Sequence, residues 1–352
     1  MQKIKVGIIG TGNISVSHIE SYLNNENVEL YAFCDINEDR VKTMAEKYGV
    51  TRTFTDMNEM LKLEEIDAVS VCTWNSAHAP CTIAALNAGK HVLCEKPMAT
   101  STQEAMEMKA AAEKNNKLLM IGFVRRFGND CNILKDFIGT DYFGDIYYSK
   151  ATYLRRNGNP GGWFGDKSRS AGGPLIDLGV HVIDLVRYLN GNIKPVSVYG
   201  ATFHKLSDRR NLKDKKDYVA ASATDNDICD VEDLATALIR FENGSVLSVE
   251  ASFSLNIKSN QGTIELFGTK GGAKIDPTLE MYTEVNGYMA DVNLVTPTAL
   301  SFSGLFAREI NHFVSCITEQ IPCISPAGDG IEMMKILDAI YESAKTGHEV
   351  IL

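Results

Sequence analysis

Short apolar runs alternate with longer segments of helical periodicity from the start of the chain to about residue 123. The apolar runs fall at 5–9, 28–34, 68–72, 91–94 and 118–121. Helical patterns begin near residues 14 and 37 and cover 79–88 and 102–115. Strands separated by helices pair in parallel through right-handed crossovers. The pattern therefore predicts an α/β domain over 1–123, built on a doubly wound parallel sheet.

Beyond Arg126 the texture changes. Strand-like runs at 146–153, 196–203, 234–241, 245–253 and 262–267 follow one another mostly without helices, and Glu242-Asn243-Gly244-Ser245 is a strong hairpin turn. That predicts a mostly antiparallel sheet. One helix over 175–188 interrupts it, and helical periodicity over 305–319 and 328–345 closes the chain. The second domain, 124–352, reads as α+β.

Composition narrows the class. A length of 352 residues suits two cores better than one, and 44% apolar with 23% charged residues is ordinary for a globular chain. The net charge of −10 opposes attraction to phosphate backbones, so nucleic acid is not an expected partner. The one basic run, 204–216, is punctuated by Asp208 and Asp214 and reads as a solvated connection. Eight cysteines form no C-x-x-C pair, and Cys34, Cys72 and Cys94 lie in apolar runs, as small buried hydrophobes in a reducing compartment do. The start Met1-Gln2-Lys3-Ile4-Lys5 is positively charged, but Gly7 and Gly10 break the apolar stretch behind it. No run approaches the ~18 apolar residues of a membrane span. A cytoplasmic protein without a membrane partner is expected.

Val6-Gly7-Ile8-Ile9-Gly10-Thr11-Gly12-Asn13-Ile14-Ser15 sets a strand, a tight turn and a helix start in succession. The N–H groups and helix dipole of such a turn face a dinucleotide pyrophosphate, which makes Gly10, Thr11, Gly12, Asn13 and Ile14 candidate cofactor contacts. Ser15 stands where a third glycine would serve helix–sheet packing, a place that a small serine fills. Asp35 ends the next strand. Its carboxylate can accept both ribose hydroxyls and would repel a 2′-phosphate, favouring NAD over NADP; a plain helix cap is the competing reading.

Thr73 and Asn75 follow the run 68–72 and are placed to line the nicotinamide-ribose side. His78 either joins them or sits in the first turn of the next helix, and Trp74 either stacks on a ring or packs its own loop. Glu95-Lys96-Pro97 ends another strand at the same sheet edge. A lysine there, partly desolvated, offers a cation that can stabilise a developing alkoxide or share a proton with a hydroxyl. Pro97 disfavours helical geometry at Lys96 and sets its direction. On the 175–188 helix, Asp177, His181 and Asp184 are spaced to project from one stripe. An aspartate can fix the imidazole tautomer while the histidine takes a proton. An internal salt bridge and a divalent-metal site compete with that reading. Arg155 and Trp163, at a strand end and in a glycine-rich loop, are candidate substrate contacts, though anchoring of the loop explains the tryptophan equally well.

Taken together, the Gly10-x-Gly12 turn, Asp35, Glu95-Lys96-Pro97 and Gly172-Gly173-x-Leu175-x-Asp177-x-Gly179-x-His181-x-x-Asp184 resemble the Gfo/Idh/MocA oxidoreductase family over nearly the whole chain. The resemblance implies an N-terminal Rossmann domain and a C-terminal α+β domain. The latter's large open sheet is often used in oligomer contacts, hence a homodimer or homotetramer. It also implies reversible NAD-dependent oxidation of sugar or polyol hydroxyls with no metal, and Glu95 beside Lys96 in the cofactor site. Lys96 matches the family's catalytic lysine. Asp177 and His181 match the aspartate and histidine of members resembling inositol dehydrogenase, where other members carry tyrosine in place of His181. In the implied mechanism His181 removes the hydroxyl proton, Lys96 polarises the oxygen and Asp177 orients groups. Arg125-Arg126-Phe127 is similar to the family's linker motif, in which Arg126 either shapes the substrate site or ties the domains. A retained-cofactor sugar transhydrogenase or epimerising enzyme is one alternative. A non-catalytic NAD-binding sensor is another, against which the intact Lys96, Asp177 and His181 set argues.

Overall fold

The computed structural model describes residues 3–207, 209, 211–213, 216, 218–276, 278–298 and 302–352. Met1 and Gln2 of the charged start, and Asp208 and Asp214 of the basic run, lie outside the described residues. The chain forms two compact units, one of Met1–Val124 with Ser301–Met334, the other of Arg125–Leu300 with Lys335–Leu352.

The first unit runs through β1 (Ile4–Ile9), α1 (Asn13–Leu23), β2 (Val28–Cys34), α2 (Glu38–Tyr48), β3 (Thr53–Phe54), α3 (Met57–Leu61), β4 (Ala68–Val71), α4 (His78–Asn87), β5 (His91–Glu95), α5 (Thr102–Lys114) and β6 (Leu119–Gly122). Its six strands are all parallel, in the order β3-β2-β1-β4-β5-β6. Val6, Ile8, Val69, Val71, Val92 and Leu93 are sealed from solvent, as residues of a parallel strand covered on both faces are. Strand order reverses between β1 and β4, and open α/β sheets take ligands beyond the carboxyl ends at such a point. The motifs at Gly10–Gly12, 73–75 and 95–97 follow β1, β4 and β5 and so gather at that one sheet edge.

The second unit holds α6 (Asn129–Gly139), β7 (Ile146–Leu154), α7 (Lys167–Ser170), a π-helical turn over Leu175–Gly179, α8 (Val180–Leu189), β8 (Pro195–Phe203), β9 (Leu234–Phe241), β10 (Val246–Ser252), β11 (Gln261–Gly268), β12 (Gly271–Ile275), β13 (Glu280–Val285) and β14 (Tyr288–Val292). The chain then continues through α9 (Phe302–Thr318), α10 (Ala327–Thr346) and β15 (Val350–Ile351). The sheet order is β14-β13-β12-β11-β7-β10-β9-β8-β15. Among the described residues of this sheet only β7 and β10 pair in parallel. The expected hairpin joins β9 and β10, with Gly244 at φ +84° and the Asn243 side chain accepting from the Ser245 N–H at 3.0 Å. A second hairpin, between β13 and β14, turns on Asn286 and Gly287, both with positive φ; Asn-Gly is the residue pair a type I′ turn selects.

The expected second domain, 124–352, includes α9. In the structure α9 packs against α1 of the first unit, burying Leu305, Phe306, Ile310 and Phe313. Among the described residues no helix is long and apolar enough to cross a membrane. All eight cysteines are free, and burial pushes the Cys81 thiol up to about 11 and those of Cys34 and Cys131 to about 12. These side chains pack as apolar groups.

Candidate active site

β1 hands the chain to α1 through Gly10, Thr11 and Gly12. Gly10 has φ +88°, and a Cβ there would meet the Cys72 carbonyl oxygen at 2.7 Å, so glycine is required. No side chain caps α1 and no acidic residue stands in its first turn. A Cβ on Gly12 would meet no protein atom within 4 Å. These residues fit a dinucleotide: an uncapped helix N-terminus with room beside it is the arrangement a pyrophosphate takes. Ser15 is sealed and donates its hydroxyl proton to the Gly12 carbonyl at 2.7 Å.

Asp35, at the end of β2, is tied to this turn. Its Oδ2 accepts from the Thr11 N–H at 2.8 Å and the Thr11 hydroxyl at 3.0 Å, and its Oδ1 accepts from the Asn37 N–H at 2.9 Å. Arg40 Nη1 lies 3.7 Å from Oδ2. The plain-cap reading fails, because Asn37 is the residue whose side chain caps α2, through the Arg40 N–H.

Beyond β4, Thr73 is half-buried and Asn75 buried. His78 opens α4 and is sealed, with Nδ1 2.7 Å from the Pro97 carbonyl and Nε2 3.2 Å from the Thr73 carbonyl. Burial lowers its pKa, so the ring carries one N–H, and the shorter contact marks Nδ1 as the donor. His78 straps the Lys96-Pro97 turn to α4. Its candidacy as a cofactor contact is corrected, since the ring has no surface left to offer. Lys96 is half-buried directly after β5.

Glu95, the other residue expected beside the cofactor, is tied inward. Its sealed carboxylate has Oε1 2.8 Å from His18 Nε2, and Oε2 accepts the Lys96 N–H at 3.2 Å. His18 Nδ1 is 3.2 Å from Ser70 Oγ, which is 2.8 Å from the Tyr22 hydroxyl. One direction runs through this chain: Tyr22 donates to Ser70, Ser70 to His18 Nδ1, and His18 Nε2–H to Glu95. Burial raises the Glu95 pKa, but the His18 hydrogen bond, the His18 charge and then the Lys96 charge outweigh it and hold the carboxyl below its usual range. The side chain is thus an internal anchor for Lys96. His18, Tyr22 and Ser70 carried no local sequence signal, because only packing brings them to Glu95.

In the second unit, Glu232 governs the approach to the 175–189 helix. Its carboxylate accepts from the Gly173 N–H at 3.1 and 3.0 Å, from the Leu175 N–H at 3.2 Å and from the Tyr341 hydroxyl at 2.9 Å. A Cβ on Gly173 would strike the Glu232 carbonyl oxygen at 2.5 Å, and one on Gly172 would overlap the Tyr341 hydroxyl. The glycine pair leaves room for the Glu232 backbone and the Tyr341 side chain to close in. Instead of a regular helix from 175, the π turn comes first and α8 starts at Val180; such turns are frequent at functional sites. Asp177 and His181 stand half-buried on either side of that junction.

Asp184 is claimed by an arginine. It is sealed and accepts from Arg126 Nε at 2.9 Å and Nη2 at 2.6 Å, while the guanidinium lies 4.7 Å over the Tyr188 ring. Arg126 has no exposed surface, so its candidacy as a substrate contact is corrected: a buried charge needs its full bidentate partner. Arg155 is half-buried and donates to the Tyr153 hydroxyl at 3.0 Å. Trp163 stacks on Phe164 with ring centroids 3.9 Å apart.

Residues 4–123 match the family described as oxidoreductase family, NAD-binding Rossmann fold, and residues 135–352 match its C-terminal alpha/beta domain. The chain belongs to the Gfo/Idh/MocA oxidoreductase family. Among Gfo/Idh/MocA relatives, D-glucoside 3-dehydrogenase of Escherichia coli (strain K12) is 33% identical over 350 residues, covering 99% of this chain and 97% of that protein. Myo-inositol 2-dehydrogenase of Thermotoga maritima is 29% identical over 271 residues, covering 76% and 74%. The structure of levoglucosan dehydrogenase in complex with NADH and L-sorbose matches with a TM-score of 0.87 at 25% identity, covering 100% of this chain and 99% of that one. The parallel Rossmann sheet and the mostly antiparallel second sheet read from the sequence are those of this Gfo/Idh/MocA oxidoreductase.

Proposed function

We propose that this enzyme is an NAD-dependent dehydrogenase that oxidises a hydroxyl of a sugar, cyclic polyol or sugar derivative. The observation that carries the cofactor choice is Asp35, bound through Thr11 to the glycine-rich turn. A carboxylate there accepts ribose hydroxyls and repels a 2′-phosphate. Gly10, Thr11, Gly12, Asn13 and Ile14 hold the pyrophosphate, and Thr73 and Asn75 serve the nicotinamide side. The cofactor supplies the hydride acceptor. The substrate class is supported by relatives named for D-glucosides and myo-inositol.

Lys96 polarises the reacting oxygen, His181 takes the hydroxyl proton, and Asp177 orients the imidazole or the substrate. Arg155 and Trp163 are the side chains we assign to substrate contact. We take 1–123 as the cofactor domain and 124–352 as the substrate and oligomerisation domain of a homodimer or homotetramer. The test is NADH absorbance after incubation with NAD, or NADP in parallel, and a panel of methyl D-glucosides, free sugars, sugar acids, cyclic polyols and nucleotide sugars. One substrate class should give signal, with NAD preferred, and Asp35→Ser should relax discrimination against NADP. Silence across the panel from protein shown to bind NAD would overturn the reading as a cofactor-releasing dehydrogenase. An unchanged preference in Asp35→Ser would overturn the role of Asp35.

A further inference from the structure

Glu309 on α9 is fully buried, and neither of its oxygens has a hydrogen-bond donor. One ligand atom each from Glu309, Glu95 and His18 all lie within 4.8 Å of one another. The Phe306 ring packs 5.6 Å from the His18 ring and closes the cluster on the α9 side. The titratable groups around it are His18 and Tyr22 of α1, Cys72 after β4, Cys94, Glu95 and Lys96 at the end of β5, and His78 of α4. Burial keeps Tyr22, Cys72 and Cys94 protonated and uncharged and His78 neutral. The donors in reach, His18 Nε2–H and the Lys96 N–H, both go to Glu95. That suffices for one carboxylate. A second ionised carboxylate at this range would meet Coulomb repulsion at low dielectric without a donor to offset it.

We propose that Glu309 is a positioning residue for Lys96: a neutral acid that shares its proton with the Glu95 carboxylate, which in turn fixes the Lys96 N–H at the tip of β5. This rests on the assignment of Lys96 to the reacting oxygen. A metal ion held by the same three side chains is the rival occupant. It would require both carboxylates ionised and a lone pair on His18 Nε2, where the hydrogen-bond chain places a proton.

The first measurement is the infrared difference spectrum of wild-type protein minus Glu309→Gln at neutral pH. It should show the carbonyl stretch of an un-ionised carboxylic acid, shifted in D2O. Absence of that band, or one divalent ion per chain in the purified protein that Glu309→Gln lacks, overturns the proposal. The second is kinetics with the fastest substrate of the panel. Glu309→Gln, whose amide N–H can replace the acid proton, should keep kcat and its pH profile. Glu309→Leu should lower kcat by up to about 10²-fold, the scale of an ångström's misplacement, with the Kd for NAD unchanged. Wild-type kcat in Glu309→Leu overturns the positioning role, and if that variant does not fold the infrared band still decides. Should Lys96→Ala keep full activity, the functional reading of Lys96 fails while the acid band persists, so the two failures are distinguishable.

Discussion

Two sealed glutamates, one in each unit, stand behind the residues assigned to chemistry, and the protein serves them in opposite ways. Glu232 beneath the π turn is met by two backbone N–H groups and a phenol. Glu309 is met by no donor. Burial raises the carboxyl pKa of both. For Glu232 its own backbone N–H and the Tyr341, Gly173 and Leu175 hydrogen bonds pull it part of the way back, while for Glu309 the Glu95 charge pushes it further, well above the usual value. Desolvation is common to both sites and the donors are not, so donor supply decides how far burial raises a carboxyl pKa. Glu232 is accordingly an acceptor that holds a helix start open for Asp177 and His181, and Glu309 is a donor.

The largest expected effects come from removing the chemistry each glutamate supports. Lys96→Ala and His181→Ala should each lower kcat by about 10²–10⁴-fold, the usual reach of a proton-transfer group, with NAD affinity measured by titration little changed. Full activity in both would end the mechanistic assignment.

Next in size is stability. Glu232→Leu strips the acceptor from the Gly173 and Leu175 N–H groups and the Tyr341 hydroxyl, and each buried donor left unpaired costs about 1–3 kcal/mol. Denaturant titration should show a loss of about 3 kcal/mol or more, whereas Glu309→Leu should lose far less because no donor is orphaned. Equal losses would erase the contrast between the two sites.

The smallest effect is in pH dependence. The folded protein holds the Glu309 proton above the ordinary glutamate pKa of about 4.3, so this group's contribution to stability is complete below that value. It is lost as pH rises through the elevated pKa. The Tm of the wild type should therefore fall more steeply than that of Glu309→Gln from neutral to alkaline pH. Parallel curves would mean that Glu309 does not titrate there.

The candidate cofactor residues can be named from the sequence because their signals are local. The Gly10–Gly12 turn, Asp35 at a strand end and the Lys96-Pro97 step each depend on a few consecutive residues, as does the Asn243-Gly244 hairpin. The Asn286-Gly287 turn was equally readable and marks the β13–β14 hairpin that periodicity alone passed over. What misled were helix positions taken at regular spacing. Asp184 shares a stripe with Asp177 and His181 only in an ideal helix, whereas the π turn alters the first turns and Arg126, 58 residues away in sequence, captures Asp184.

Sequence alone determined the two kinds of sheet, the residues at the ends of β1, β2, β4 and β5, and through them the family and its chemistry, because strand periodicity, glycine turns and proline restrictions act over spans of a few residues. Tertiary structure decided the rest: that Glu95 meets His18, that His78 holds Pro97, that Arg126 pairs with Asp184, and that Glu232 and Glu309 meet different surroundings. The charge state and partner of a buried polar group depend on which distant donors packing brings within hydrogen-bond range, and no local pattern encodes that.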